Sequence, residues 1–206
     1  EHTALFFGRS VEIRTLLERL QSQPFLVVVG DSGVGKSSLC RAGVIPCVQE
    51  GALQDGRRWR AVKMFPGKHP IATLSEALSG LLAQPAEELS ADLMSQSGEC
   101  IRRLHRSQGE RDGVLLFIDQ LEEPLTQSEP AEAAVLGRVL GQLLARGPGV
   151  RVLCTVRGDF LTRLAELPGL GPELQQTLYL LRALDREGLR EAIVGPAEQS
   201  GVCFES

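Results

Sequence analysis

Lysine is scarce in this 206-residue chain: Lys36, Lys63 and Lys68 are the only three, and 22 Lys+Arg face 26 Asp+Glu for a net charge of -4. Such a balance lacks the basic excess with which nucleic-acid binders neutralise phosphates. Arg57, Arg58 and Arg60 cluster, as do Arg102, Arg103 and Arg106, and both clusters read as solvated faces. Nucleic acid is therefore an unexpected partner. The five cysteines, Cys40, Cys47, Cys100, Cys154 and Cys203, are odd in number and contain no CxxC pair, which excludes a disulfide framework as the basis of the fold. Cys154 stands in an apolar run and is expected to be a buried thiol. No signal peptide and no apolar run of membrane-spanning length are present, so a cytoplasmic location without a membrane partner is the expectation. Internal repeats and low-complexity segments are also lacking.

Hydrophobic residues make up 43% of the chain and charged residues 23%, enough for one α/β domain, or one domain and the start of a second, with a core that needs no staple. Glu1 stands first in place of Met, and the chain stops at Gly201–Ser206 without a cap. It reads as a segment of a longer protein.

Apolar residues at Val11, Ile13, Leu16, Leu17 and Leu20 have helical spacing, with Ser10 as the expected N-cap. Phe25–Val29, Val114–Ile118 and Val150–Val156 are continuous apolar runs, as in strands covered on both faces. Trp59–Phe65 and Leu178–Leu181 are further strand candidates. Helices are expected from Lys36 to Gly43 or Ile45, ending before Pro46; over Ile71–Leu82; over Leu89–Arg106, divided near Ser97-Gly98; over Ala131–Leu144, despite Gly137 and Gly141; from Asp159 to Glu166; and over Asp185–Val194. Gly147-Pro148-Gly149 reads as a sharp turn. Strands alternating with helices imply a parallel sheet with helices on both faces.

Gly30-Asp31-Ser32-Gly33-Val34-Gly35-Lys36-Ser37 meets the spacing G-x-x-x-x-G-K-S between an apolar strand and a helix. Glycines let backbone curl around phosphate oxygens, and the helix N-terminus offers free N–H groups and a favourable dipole. Lys36 can reach β- and γ-phosphates, and the Ser37 hydroxyl can ligate Mg²⁺. The strand Val114–Ile118 delivers Asp119 to the same sheet edge, where its carboxylate can hold Mg²⁺ directly or through water. A second carboxylate can orient or deprotonate an attacking water, with Glu122 the first candidate and Glu123 the second. Arg157, at the end of the Val150–Val156 strand, can contact a γ-phosphate, or else pair with Asp159. No lysine is followed two residues later by Asp, as guanine recognition would require, so ATP is expected over GTP.

In this order the motifs resemble the STAND NTPases, most closely the bacterial novel STAND type 1 group. Phe6-Phe7-Gly8-Arg9-Ser10-Val11-Glu12 resembles hhGRxxE. Gly30 to Ser38 resembles the P-loop, with Arg41-Ala42-Gly43 following. Asp119-Gln120-Leu121-Glu122-Glu123 resembles DQFEE, and Thr155-Val156-Arg157-Gly158-Asp159-Phe160 resembles T-x-R-x-D-F. Leu121 replaces the usual Phe, and Pro124 the usual Leu. The resemblance implies a five-stranded AAA+-like core over 1–184 and the beginning of a helical lid over 185–206. It implies that Phe7, Gly8 and Arg9 lie near adenine, with Pro196 of Gly195-Pro196-Ala197 on the base. It further implies that Arg157 senses the γ-phosphate. Such proteins are switches that ADP closes and ATP opens for self-association, flanked by effector and sensor domains. Two other functions compete: an AAA+-type ATPase acting on nucleic acid, and a nucleotide-stabilised scaffold without turnover.

Overall fold

The computed structural model describes residues 7–144, 147 and 149–199, with backbone alone at 172 and 173. Residues 5, 6, 148 and 200–206, which enter the N-terminal motif, the Gly147–Gly149 turn and the lid segment, lie outside the described residues, as does Cys203.

Five parallel strands form one sheet in the order β2-β3-β4-β1-β5: β1 Phe25–Gly30, β2 Arg58–Met64, β3 Asp112–Ile118, β4 Val150–Arg157 and β5 Leu178–Leu180. β1 and all of β3 after Asp112 are buried, because both sheet faces are covered. Alternation divides β1 between two cores. Phe25, Val27 and Val29 face α4 (Pro70–Leu82), α5 (Ala86–Ser107) and α7 (Pro130–Leu144) through Leu74, Leu104 and Leu136. Leu26 and Val28 face α1 (Ser10–Ser22) through Leu16 and Leu20, together with the helical stretch after β1. The α/β class expected from the apolar runs is thus the observed one.

Several boundaries differ from expectation. Arg9, not Ser10, is the N-cap of α1: its backbone lies outside the helical region, and no side chain caps the helix there. The Arg9 guanidinium donates instead to Glu12 and to the Val34 carbonyl. The helix after β1 does not stop before Pro46. It runs as α2 (Lys36–Ser38), a π-helical stretch Leu39–Val44 and α3 (Ile45–Gln49). Ile45 N–H reaches back to Cys40 O, and the wider winding brings Pro46 into the first turn of α3, where a missing N–H costs little. α5 is kinked at Gln96, just before the expected Ser97-Gly98. Gly158–Phe160 winds as a 3₁₀ turn before α8 (Leu161–Ala165), in place of one helix from Asp159. The short α6 (Pro124–Gln127) is not anticipated by the sequence. α9 (Arg186–Gln199) continues beyond Val194 and carries Pro196 within it.

Gly137 and Gly141 are not mere concessions of helix propensity. A Cβ at Gly141 would lie 2.1 Å from Gly169 O, and one at Gly137 would lie 2.8 Å from Pro168 O. The pair lets the loop after α8 lie directly on α7. We expect Gly141→Ala to lower unfolding stability by about 1–3 kcal/mol despite the better helix former, measured in denaturant.

Candidate functional site

The sheet order places β1 between β4 and β5, and Gly30 pairs in register with Arg157. The loop leaving β1 therefore opens beside the end of β4, with β3 one strand further on. Gly33 and Gly35 take positive φ values of 80° and 95°, which a Cβ would disfavour. Gly30 has a different reason to be glycine: a Cβ there would lie 2.7 Å from Leu181 O. Gly35 is the N-cap of α2, so the helix presents its first N–H groups to the loop's interior.

Lys36 is buried, and its Nζ donates to Gly30 O and Asp31 O at 2.8 Å each. The ammonium thus folds over the loop. Burial lowers its pKa, against the raising influence of Glu122. Ser37 Oγ donates to Asp119 Oδ1 at 2.7 Å. Thr155 Oγ1 donates to the same oxygen and accepts Gln120 N–H at 2.9 Å. Gln120 has φ of +60°, so the chain turns sharply after Asp119. Thr155 and the Leu121 N–H bond to Thr155 O hold that turn in place, and Leu121 is fully buried. Burial opposes ionisation of Asp119, but the Thr155 and Ser37 hydrogen bonds and the nearby Arg41 cation outweigh it and hold the carboxyl below its ordinary pKa.

Glu122 is buried, and its Oε2 accepts the Arg157 N–H at 3.3 Å. Glu123 Oε2 instead accepts Gly67 N–H at 2.9 Å, in the loop after β2. Pro124 opens α6 at a position that needs no N–H, so it leaves both acids beside the loop. The Arg157 guanidinium is paired with Asp159 at 3.0 and 2.8 Å, the alternative considered from the sequence. That partner raises its pKa further. Even so, Arg157 borders the same cavity, of about 570 Å³, as Ser32, Gly33, Lys36, Ser37, Glu122 and Glu123.

A second cavity of about 560 Å³ runs along the outer side of the loop, from Gly30–Val34 to Leu180–Ala183. A third, of about 500 Å³, lies between Gly8, Ser10 and Glu12 on one side and Arg182–Asp185 and Gly188 on the other. The N-terminal motif is fastened at three points. Arg9 donates to Val34 O at 3.1 Å, Gly8 packs against Gly188, and Gly195 lies against the Phe7 ring. Pro196 follows Gly195 in α9. Ser38 ends α2 at the cavity wall.

No cluster of three or more His, Cys, Asp or Glu side chains able to hold a metal occurs among the described residues. A hydroxyl and a carboxylate do converge at Ser37 and Asp119, an oxygen-only pair suited to Mg²⁺ that takes its other ligands from phosphate and water. Asp119 Oδ2 is buried without an aligned hydrogen-bond donor, which leaves an oxygen for such a cation. The residues therefore fit the metal.

Two residues assigned no role from the sequence belong to this constellation. Thr155 fixes Asp119, and Arg41 places a guanidinium nitrogen 2.8 Å from Asp119 Oδ2. The described cysteines are free, and burial pushes the Cys40 and Cys154 thiols up. Among the arginine clusters, Arg58 pairs with Asp112, Arg102 and Arg106 pair with Glu99, and Arg103 pairs with Asp92. No helix among the described residues is long and apolar enough to cross a membrane.

Fold and loop together define a domain of the P-loop NTPase kind. The Novel STAND NTPase 1 family model matches residues 1–206, and the chain belongs to that family. No curated protein matches it. Among solved structures, the Walker-type ATPase of Pyrococcus abyssi is similar at 16% identity and a TM-score of 0.62, over 97% of this chain and 60% of that one. The Aeropyrum pernix ORC1 protein, solved in complex with DNA, has 15% identity and a TM-score of 0.63, over 94% and 50%. AMPPCP-bound DnaA from Aquifex aeolicus has 16% identity and a TM-score of 0.53, over 97% and 53%. The chain thus spans between half and three-fifths of the length of these proteins.

Proposed function

We propose that this domain binds ATP and hydrolyses it slowly as the conformational switch of a larger signalling or defence protein. The observation that carries the reading is a single cavity bordered by the glycine loop, Lys36, Ser37, Glu122 and Arg157. The backbone N–H groups of the loop and the Lys36 ammonium bind the β- and γ-phosphates. Ser37 and Asp119 would hold Mg²⁺, which when bound neutralises phosphate charge. Glu122, steadied by the Arg157 N–H, accepts a proton from the attacking water. Arg157 exchanges Asp159 for the γ-phosphate and so registers its presence.

The switch reading rests on how the nucleotide's surroundings are tied together. In this reading residues 1–184 are the core and α9 begins a lid that continues over 185–206. The adenine lies by Phe7, Gly8 and Arg9, with Pro196 toward the base. Because Arg9 holds the loop and Gly8 and Phe7 hold α9, a change at the phosphates reaches α9 through short contacts. ADP then favours a closed form and ATP an open, self-associating one, with flanking domains supplying signal and output. The local pairing of the surface arginines favours this reading over action on nucleic acid.

Sedimentation of the full-length protein tests it. We expect monomer with Mg·ADP and larger species with a non-hydrolysable Mg·ATP analogue. Identical sedimentation in the two states contradicts the switch.

A further inference from the structure

Asp119 is approached from two sides. Oδ1 is held by the Ser37 and Thr155 hydroxyls. Among the described residues, Oδ2 meets only Arg41, at 2.8 Å, an ion-pair distance but off the line of a hydrogen bond. Arg41 lies one turn beyond Ser37 in the π-helical stretch, and its guanidinium stacks over the Phe65 ring, 4.5 Å from the centroid. Its side chain is 41% exposed and that of Asp119 2% exposed, while Phe65 is 45% exposed. The carboxylate is therefore fixed, whereas the cation resting on it has solvent to move into.

We propose that Arg41 is a built-in rival of the divalent cation, occupying Asp119 Oδ2 with its guanidinium braced on Phe65 until Mg²⁺ displaces it into solvent. The proposal rests on the nucleotide reading of the same site. Two cations at one carboxylate repel, and the effect is large where water is excluded. A planar guanidinium meeting the oxygen off-axis is held by charge and by stacking more than by hydrogen bonding, so a small hard cation that needs oxygen ligands can replace it. Arg41 then sets the Mg²⁺ concentration at which the loaded state forms. It is a positioning residue for the metal and need not touch the nucleotide.

The test is calorimetric ADP binding with EDTA and with saturating Mg²⁺, giving the factor by which the metal tightens ADP. In Arg41→Gln we expect that factor to rise about tenfold over wild type, with ADP affinity in EDTA unchanged within about threefold. Arg41→Lys, which keeps the charge, should return the factor toward the wild-type value. Should Arg41→Gln not fold, Phe65→Leu is read in its place, with an expected rise of about threefold as the guanidinium loses its stacking surface. An unchanged or smaller factor overturns the proposal. So does a large loss of ADP affinity in EDTA, which would make Arg41 a phosphate ligand. Wild-type protein that binds ADP in neither condition contradicts the nucleotide reading itself and this inference with it.

Discussion

Lys36→Ala is expected to weaken Mg·ATP binding at least about 100-fold while leaving the far-ultraviolet spectrum and the unfolding midpoint near wild type. The size follows from the contacts the ammonium makes. Nζ already has two oxygen partners, Gly30 O and Asp31 O, and exchanges them for phosphate oxygens of full negative charge. Charge-assisted hydrogen bonds contribute roughly 1.5–3 kcal/mol each, so loss of two spans about two to four orders of magnitude in affinity. The core does not depend on this side chain, since β1 is held by β4 and β5 and buried on both faces. Binding by calorimetry, beside circular dichroism of the same sample, measures both halves of the expectation. Unaltered ATP affinity in a folded variant removes Lys36 from the site.

Glu122→Gln should separate binding from turnover. The amide oxygen can still accept the Arg157 N–H, so the local backbone is kept. What is lost is the carboxylate that accepts a proton, a contribution of about 10²–10⁴ in rate for general-base catalysis. We therefore expect phosphate release to fall at least about 100-fold, with ATP affinity within about threefold of wild type. Glu123→Gln should cost less, because Glu123 is engaged with Gly67 N–H in the loop after β2. The opposite order of effects would assign the base to Glu123. Wild-type turnover in both variants would place it elsewhere, and no measurable phosphate release from wild type would favour the scaffold reading.

The sequence was most informative where one element determines its own environment. Phe25–Val29 and Val114–Ile118 lack any polar alternation, and only a strand covered on both faces accommodates that; the sheet and its two cores follow. The glycine loop is likewise local, its spacing and its strand–helix setting all lying within one short stretch. What could not be read depends on residues meeting across the chain. Thr155 reaches Asp119 over 36 positions, and Ser37 reaches it over 82. Arg41 showed only as part of a motif, because its partners Asp119 and Phe65 are brought beside it by β3 and by the segment after β2. Pro46 pointed to a helix end that the π-helical winding avoids. Gly137 and Gly141 looked like weaknesses of α7 until the loop at Pro168–Gly169 is seen resting on them. Arg157 was legible as a cation at the sheet edge with Asp159 as one of its two possible partners, and the choice between them follows from the 3₁₀ turn after β4, which sets the two side chains side by side.

The most direct measurement of the central claim is a crystal structure of the protein grown with Mg·ADP. The account predicts the β-phosphate inside the loop Gly30–Ser37, within hydrogen-bonding distance of its backbone N–H groups. Lys36 Nζ should have turned from Gly30 O and Asp31 O onto the phosphate. A nucleotide bound elsewhere on the protein, with Lys36 still folded onto those two carbonyls, would contradict it.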